Sequence, residues 1–448
     1  MGRCVFVNVC APARPPGRVT ESLNLFRGCS FADVRHRSGS ESCDVARARG
    51  MVECDTTTLP YCATREISSG NVEVHRPGLM AKRLRSMRVS FKPTLNWLFA
   101  FIAVSVAMNA WDAPAPLLFF SASLAIVPIA RLIVRATEQL ASRTGDAVGG
   151  LLNATFGNAP ELIIALVALK AGYFDMVRAS IIGAILANLL LAMGVAFFLG
   201  GVRHHTQEYN AGATRLYSSM MLISAISLAV PSAFNRFFSD QGPMPQEKTL
   251  NLATAVVLLI AYALYLVFLL RTHPDFFKST GGEKTEHGEH GPVWSTGRAV
   301  GTLLGASVLA AWMSEMLVGA AHGTGQALGM SEAFIGIVLL AVVGGAAESG
   351  SAIAMARKNR LDLSVGIVMG SSIQIALFVA PVLVLASFFI APEPLELAFS
   401  RAEVGTLFLA VLIGAMVAGD GRSNWYKGFQ LITVYVMLAM LFYFMPNQ

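Results

Sequence analysis

The sequence is poor in charge. Only 14% of its 448 residues are Asp, Glu, Lys or Arg, against roughly 25% in a soluble domain. That excludes an ordinary water-soluble globule. A P-loop GxxxxGK[ST] is missing, so nothing in the chain uses ATP directly. An HExxH and a pair of intramembrane Asp residues are missing too, so an intramembrane protease is not expected. The chain reads as no enzyme and needs no cofactor. Cysteine is confined to six positions, Cys4, Cys10, Cys29, Cys43, Cys54 and Cys62. None forms a CxxC pair, which argues against a zinc site.

Apolar sequence fills the space. Hydrophobic residues make up 54% of the chain, with a mean hydropathy of +0.57. Eleven apolar stretches are long enough to cross a bilayer, which takes about 20 residues each. They run near 95–111, 115–135, 147–169, 178–200, 215–234, 249–270, 299–321, 334–356, 363–389, 402–418 and 426–444. The expectation is an all-α integral membrane protein in a lipid bilayer, with about 11 transmembrane helices. The net charge of +6 does not indicate nucleic acid, because the basic residues gather at loop ends rather than on an aromatic-interleaved face. With a cytoplasmic N-terminus, nineteen Lys and Arg fall in or before inner loops and five in outer loops. The positive-inside rule therefore puts the N-terminus in the cytoplasm. Residues 1–86 read as a disordered cytoplasmic tail, with Met80 and Met87 as alternative starts. The stretch is not a secretory signal, as it mixes Arg with Asp and Glu and has no continuous apolar run.

The chain repeats itself. A shift of 187 residues aligns GNAPELIIALVALKAGYFDMVRASIIGAILANLLLAMG, from Gly157, with GGAAESGSAIAMARKNRLDLSVGIVMGSSIQIALFVAP, from Gly344. Gly157 meets Gly344, Glu161 meets Glu348, Asp175 meets Asp362 and Gly183 meets Gly370. Five spans separate the copies, an odd number, so they cross the membrane in opposite senses. The architecture expected is one extra N-terminal helix plus two inverted five-helix repeats, as in many secondary transporters. Residues 94–270 hold the extra helix and the first repeat, 271–298 a cytoplasmic linker, and 299–444 the second repeat. His287 and His290 in the linker read as solvated.

GNAPE places an Asn, a Pro and a Glu in the middle of a span. Pro160 lacks an N–H and clashes with the carbonyl at Phe156, so carbonyls between Asn153 and Gly157 are free to leave the helix ladder. Irregular backbone at membrane depth survives only in a cavity or inside protein. Carboxylate, amide and carbonyl oxygens suit a hard cation such as Ca2+. With no His or Cys at that depth, zinc and copper fit less well. Glu161 and Glu348 together neutralise one divalent ion; without it, protons take its place. Such an exchange of cation for protons is the core of an antiport mechanism. Glu138 reads as a solvated helix-end charge, and Gly301 and Gly305 as helix-packing positions.

GLLNATFGNAPELI, with GAILANLLLAMG and the later AAES…GSSIQIALFVAP, resembles the two repeat signatures of the calcium/proton exchanger (CAX) family of the calcium:cation antiporter superfamily. The likeness covers about residues 94–444 and implies eleven helices arranged one plus five plus five. It also implies Ca2+ held between Glu161 and Glu348. Gly157, Asn158, Pro160, Asn188, Gly344, Gly345, Ser371, Ser372 and Gln374 would line or support the ion path. Glu315 and Ser349 are candidates for a gate or proton path. The chain departs from the family pattern, since the second motif, usually GNAAEH, reads GGAAES here. Ala184 also replaces a hydroxyl in the first repeat. The function expected is exchange of Ca2+, or other divalent cations, for H+. A Na+- or K+-coupled exchanger and a cation channel lined by the same acids are the alternatives. A bacterial inner membrane is the expected location, with a vacuolar membrane as the alternative.

Overall fold

The computed structural model describes residues 95–144, 149, 151–152, 155–238, 245–273 and 294–445. The expected tail, most of the linker with His287 and His290, and Asn153 lie outside the described residues.

In lipid only a helix or a closed barrel pairs all of its own backbone groups. The apolar stretches accordingly fold as helices: α1 (Ala100–Ala110), α2 (Ala115–Thr144), α3 (Ala159–Lys170), α4 (Phe174–His204), α5 (Ala211–Phe238), α6 (Gln246–Thr272), α7 (Thr296–Leu328), α8 (Glu332–Gly344), α9 (Ala346–Arg357), α10 (Leu361–Ile390), α11 (Arg401–Ala418) and α12 (Trp425–Tyr443). Among the described residues, eight helices are long and apolar enough to span a bilayer, or nine if α8 and α9 count as one span bent by 58°. The expected span 334–356 is thus two helices, broken at Gly345. Most helices run past the apolar stretch that signalled them, because polar caps rather than apolar run-length set their ends. Ser295 caps α7 by accepting from the Arg298 amide at 3.3 Å. Asn424 caps α12 by accepting from the Tyr426 and Lys427 amides, each at 3.0 Å. Ser400 and Glu403 form a reciprocal capping box at the start of α11, which satisfies two orphan amides at once.

The apolar interior divides into two clusters. One is built on α2 and α7, around Phe119, Ile126, Ile129, Met313 and Leu317. The other joins α4, α5, α6, α10, α11 and α12, around Ile182, Leu190, Phe197, Val365 and Leu431. Helix α3 contributes Ile164 to the first and Ala168 to the second. The motif residues therefore sit on the boundary between the two apolar clusters.

The two membrane faces are closed differently. On one, β1 (Thr206–Glu208) pairs antiparallel with β2 (Arg422–Asn424). Buried Gln207 donates to Ala356 O at 2.8 Å and to Asn359 Oδ1 at 2.9 Å, tying the ribbon to the end of α9. Beside it, Lys427 Nζ donates to both Asp420 oxygens at 2.6 Å and to Arg422 O at 2.8 Å. Burial pushes the Asp420 carboxyl up, but the Lys427 and Arg422 hydrogen bonds outweigh it and hold the group below the ordinary carboxylate range. On the opposite face, residues 391–400 lie in no helix or sheet. Their alternate amides are taken by side chains: Leu395 by Ser387, Leu397 by Asn251 and Phe399 by Ser232, each at 2.8 Å. Buried amides need such partners wherever no ladder supplies them.

Asn251 is 3% exposed, so Asn251→Ala leaves the Leu397 amide without an acceptor. The expected cost is about 1–3 kcal/mol, read as a lower melting temperature of the detergent-purified protein. An unchanged melting temperature would show that the 391–400 segment is held by packing instead.

Candidate cation-binding site

The shift of 187 residues seen in the sequence carries the backbone with it. It takes α3, Ala159–Lys170, onto α9, Ala346–Arg357, and the start of α4 at Phe174 onto the start of α10 at Leu361. Each long helix then passes through a π-helical turn, at Ala187–Ala192 and at Ile375–Val379. Both motifs break the chain just before their short helix. In the first, Pro160 sits in the opening turn of α3 after a turn at Gly157 and Asn158, where its missing N–H costs nothing. The second break has no proline; Gly345 sits between α8 and α9 with φ −75° and ψ 2°.

The two breaks interlock. Glu161 of the first motif lies against the second break, and a Cβ built on Gly344 would stand 3.0 Å from Glu161 Cγ. Asn158 of the first break lies against Glu348 of the second motif. Asn158 bridges Ser371 Oγ at 2.7 Å and Gln374 Oε1 at 2.6 Å, and Asn188 Nδ2 donates to Ser371 Oγ at 3.0 Å. With its amide turned over, Asn158 Nδ2 lies 3.2 and 3.3 Å from the two Glu348 oxygens and 2.7 Å from Ser371 Oγ. One orientation hydrogen-bonds the carboxylate; the other turns a third oxygen toward it, an arrangement that suits a hard cation. Gln374, Ser371 and Asn188 thus join the two halves across the site.

The two acids meet different surroundings. Glu348, Ser371 and Gln374 line a cavity of about 340 Å3 that also touches Tyr209, Asn210 and Asp362 beside the ribbon. Glu161 lines a cavity of only about 20 Å3, walled by Ile164, Ala184, Leu340 and Ile375 among others. Both of its carboxylate oxygens are shut off from solvent, and neither has a hydrogen-bond partner among the described residues.

A seam of small residues closes the Glu161 side. A Cβ on Gly183 would fall 2.3 Å from the Ile337 carbonyl oxygen, and one on Gly336 would fall 2.5 Å from Ala179 Cβ and 3.0 Å from Met176 O. Helices α4 and α8 therefore touch backbone to backbone along the 176/179/180/183 face of α4. The same face of α10, at Leu363, Gly366, Ile367 and Gly370, lines the open cavity instead, and a Cβ on Gly366 or Gly370 would meet nothing within 4 Å. On the far face, a cavity of about 420 Å3 touches Asp175, Gly325 and Ser400. Their counterparts under the same shift, Asp362, Glu138 and Ala213, line the open one.

Some expected residues lie elsewhere. Glu315 is exposed on α7 and lines neither cavity that reaches an acid. Ser349 is half-buried and lines neither as well. Ser372 turns its hydroxyl back to Val368 O at 2.9 Å. Glu138, read from sequence as an end charge, lines the open cavity. Sequence reasoning missed the seam and the Tyr209–Asp362 mouth. The mouth had one signal, the recurrence of Asp175 at Asp362.

A family model described as "Sodium/calcium exchanger protein" matches residues 114–271 and 298–444. The chain belongs to the sodium/calcium exchanger protein family. Among its relatives, "Ca(2+)/H(+) antiporter ChaA" of Bacillus subtilis is 39% identical over 346 residues, covering 77% of this chain and 97% of the relative. "Vacuolar cation/proton exchanger 3" of Oryza sativa is 36% identical, covering 80% and 88%. The solved structure of native YfkE superposes with a TM-score of 0.67 at 35% identity, covering 79% of this chain and 100% of that one. These matches place this exchanger-family chain among integral membrane transporters.

Asn158→Ala removes the bridge between Ser371 and Gln374 and leaves two buried polar groups short of partners. The expected loss is about 1–3 kcal/mol in thermal melting, whereas Ser372→Ala should stay near wild type. Equal effects would contradict the network described above.

Proposed function

We propose that this chain is a secondary antiporter that exchanges Ca2+, or a related divalent cation, for protons, with Glu161 and Glu348 binding the cation and protons in turn. The observation that carries the reading is Glu161 itself. A carboxylate closed into an apolar cavity without a donor cannot stay charged at tolerable cost. It must be neutralised by a proton or a cation. Glu348, with Asn158, Ser371 and Gln374 around it, lines the cavity that reaches the ribbon. Two acids that must be neutralised, one on a wide cavity and one in a tight apolar space, suit exchange between ligands better than a continuous pore. The names of the relatives support Ca2+ and H+ as the pair exchanged.

Alternation follows from the seam. The sealed face of α4 and the open face of α10 are equivalent under the repeat, so opening one and closing the other would present the acids to the opposite side. This fits one extra helix followed by two inverted five-helix repeats, and eleven spans in all. Counted that way with the N-terminus in the cytoplasm, the ribbon face is cytoplasmic. It carries Arg203, Arg215, Arg357, Lys358, Arg360, Arg422 and Lys427, as the positive-inside rule requires. Either a bacterial plasma membrane or a vacuolar membrane accommodates this topology, and relatives of both kinds exist.

The test is Ca2+ uptake into proteoliposomes under an imposed pH gradient. Uptake should follow an acid interior, collapse with a protonophore and vanish in Glu161→Gln and Glu348→Gln. Uptake that persists without the gradient would favour a channel, and uptake dependent on Na+ or K+ would favour a differently coupled exchanger. The seam has its own test. Gly370→Leu fits the open space seen here but blocks closure, so uptake should fall about tenfold or more. Gly301→Ala, at a position with no neighbour within 4 Å, should transport normally. Normal uptake by Gly370→Leu would rule out closure along this face.

A further inference from the structure

The repeat makes the two acids equivalent by sequence, yet their immediate neighbours differ in kind. Three polar side chains cluster around Glu348: Asn158, Ser371 and Gln374. Under the 187-residue shift their counterparts near Glu161 are Gly345, Ala184 and Ala187. Every one has lost its polar group. Ala184 lies on the wall of the Glu161 cavity, and both Glu161 oxygens lack a partner among the described residues.

Position 345 is the one whose geometry shows what is missing. A Cβ there would stand 3.7 Å from Glu161 Oε1 and 3.6 Å from Asn188 Oδ1, with Ala341 O at 3.3 Å as its nearest neighbour. An Asn side chain would start between those two groups. The backbone does not call for glycine. Gly345 has φ −75° and ψ 2°, an ordinary conformation close to the φ −94° and ψ 23° of its counterpart Asn158. Glycine here serves neither a left-handed turn nor a contact that a methyl group would forbid.

We propose that Gly345 is a selectivity-determining position: its missing side chain leaves the cation cage one neutral oxygen short on the Glu161 side, which relaxes preference for Ca2+ over smaller divalent cations such as Mn2+. The inference rests on the exchanger reading above and names what distinguishes this chain's site. Ca2+ takes about six to eight oxygens and tolerates irregular geometry, while smaller hard cations settle for about six and keep some of their water. A cage with Glu348, Asn158, Ser371 and Gln374 on one side, but Glu161 with only the Asn188 amide oxygen near position 345 on the other, favours the ion that needs fewer protein ligands. Restoring an amide at 345 adds an oxygen for the cation and a donor for Glu161.

The experiment is equilibrium binding of radioactive Ca2+ to the purified full-length protein in detergent, with Mn2+ as competitor and no gradient. Gly345→Asn should tighten Ca2+ binding about tenfold and raise the Ca2+-over-Mn2+ ratio by a similar factor. Gly345→Ala, which adds the Cβ without the amide, should shift binding far less than Gly345→Asn, and Gly301→Ala, with no neighbour within 4 Å, should match wild type. Ala184→Ser, the counterpart of Ser371, should shift the ratio in the same direction by a smaller factor and serves if Gly345→Asn does not fold. Unchanged Ca2+ affinity and ratio in the folded Gly345→Asn protein would overturn the proposal. So would an equal shift in Gly345→Ala, because the effect would then be steric. If the wild type binds neither ion and Glu348→Gln behaves identically, the exchanger reading fails along with this inference. Wild-type binding with an inert position 345 sinks this inference alone.

Discussion

A carboxylate in a dry, apolar space has to be neutralised, and the rest of the architecture answers to that need. Glu161 has both oxygens sealed and unpartnered. Leaving an isolated charge there would cost several kcal/mol even after relaxation, a large part of the marginal stability of a folded protein, which is about 5–15 kcal/mol. The group is therefore tolerable only with a proton or a cation upon it. Under the proposed function, occupancy of two such groups on facing helix breaks contributes to stability, and ligand exchange is how the site changes without a large penalty.

The helix breaks make this possible. An unbroken helix spends every backbone group on its own ladder and offers a passing ion only side chains. At Gly157–Asn158 and at Gly344–Gly345 the ladder is interrupted inside the protein, where irregular backbone is permitted. Interlocking puts the carboxylate of each motif against the break of the other. The side-chain bridge from Asn188 through Ser371 and Asn158 to Gln374 fixes that contact with directional bonds, which apolar packing alone cannot do. The motifs also lie between the α2–α7 core and the larger core around α4 and α10.

How much of this was legible in the sequence depended on the kind of signal. Proline announces its effect locally, so the first break could be read from Pro160. The second break contains no proline and could be read only by carrying the first across 187 residues. Glu161 and Glu348 were legible because a carboxylate in an apolar run has few innocent explanations. Glu315 had the same signature and proved to be exposed on α7, since an apolar run alone does not say which side of a helix faces the protein. Glu138 is exposed near the end of α2, as its place in the sequence suggests, but that place gave no sign of the cavity it lines. The seam was illegible, because Gly183 and Gly336 look like any other small residues in a membrane helix. Only their spacing from Ile337 and Ala179 shows that the backbones touch.

The seam also explains why sequence symmetry need not produce structural symmetry. The sealed face of α4 and the open face of α10 share small residues at two positions, where Ala179 and Gly183 answer to Gly366 and Gly370, and differ at a third, where Ser180 answers to Ile367. Neither face carries charge that would hold it shut. Two arrangements that bury similar contacts differ little in free energy, so occupancy of the acids can decide between them. The two halves also differ at the polar positions around the acids, where Gly345, Ala184 and Ala187 answer to Asn158, Ser371 and Gln374. On the proposed mechanism, divergence at those positions alters the choice of ion, while the small residues at 179, 183, 366 and 370 keep closure possible on either side. An exchanger that changes its choice of ion without losing its ability to turn over has to divide its sequence in this way.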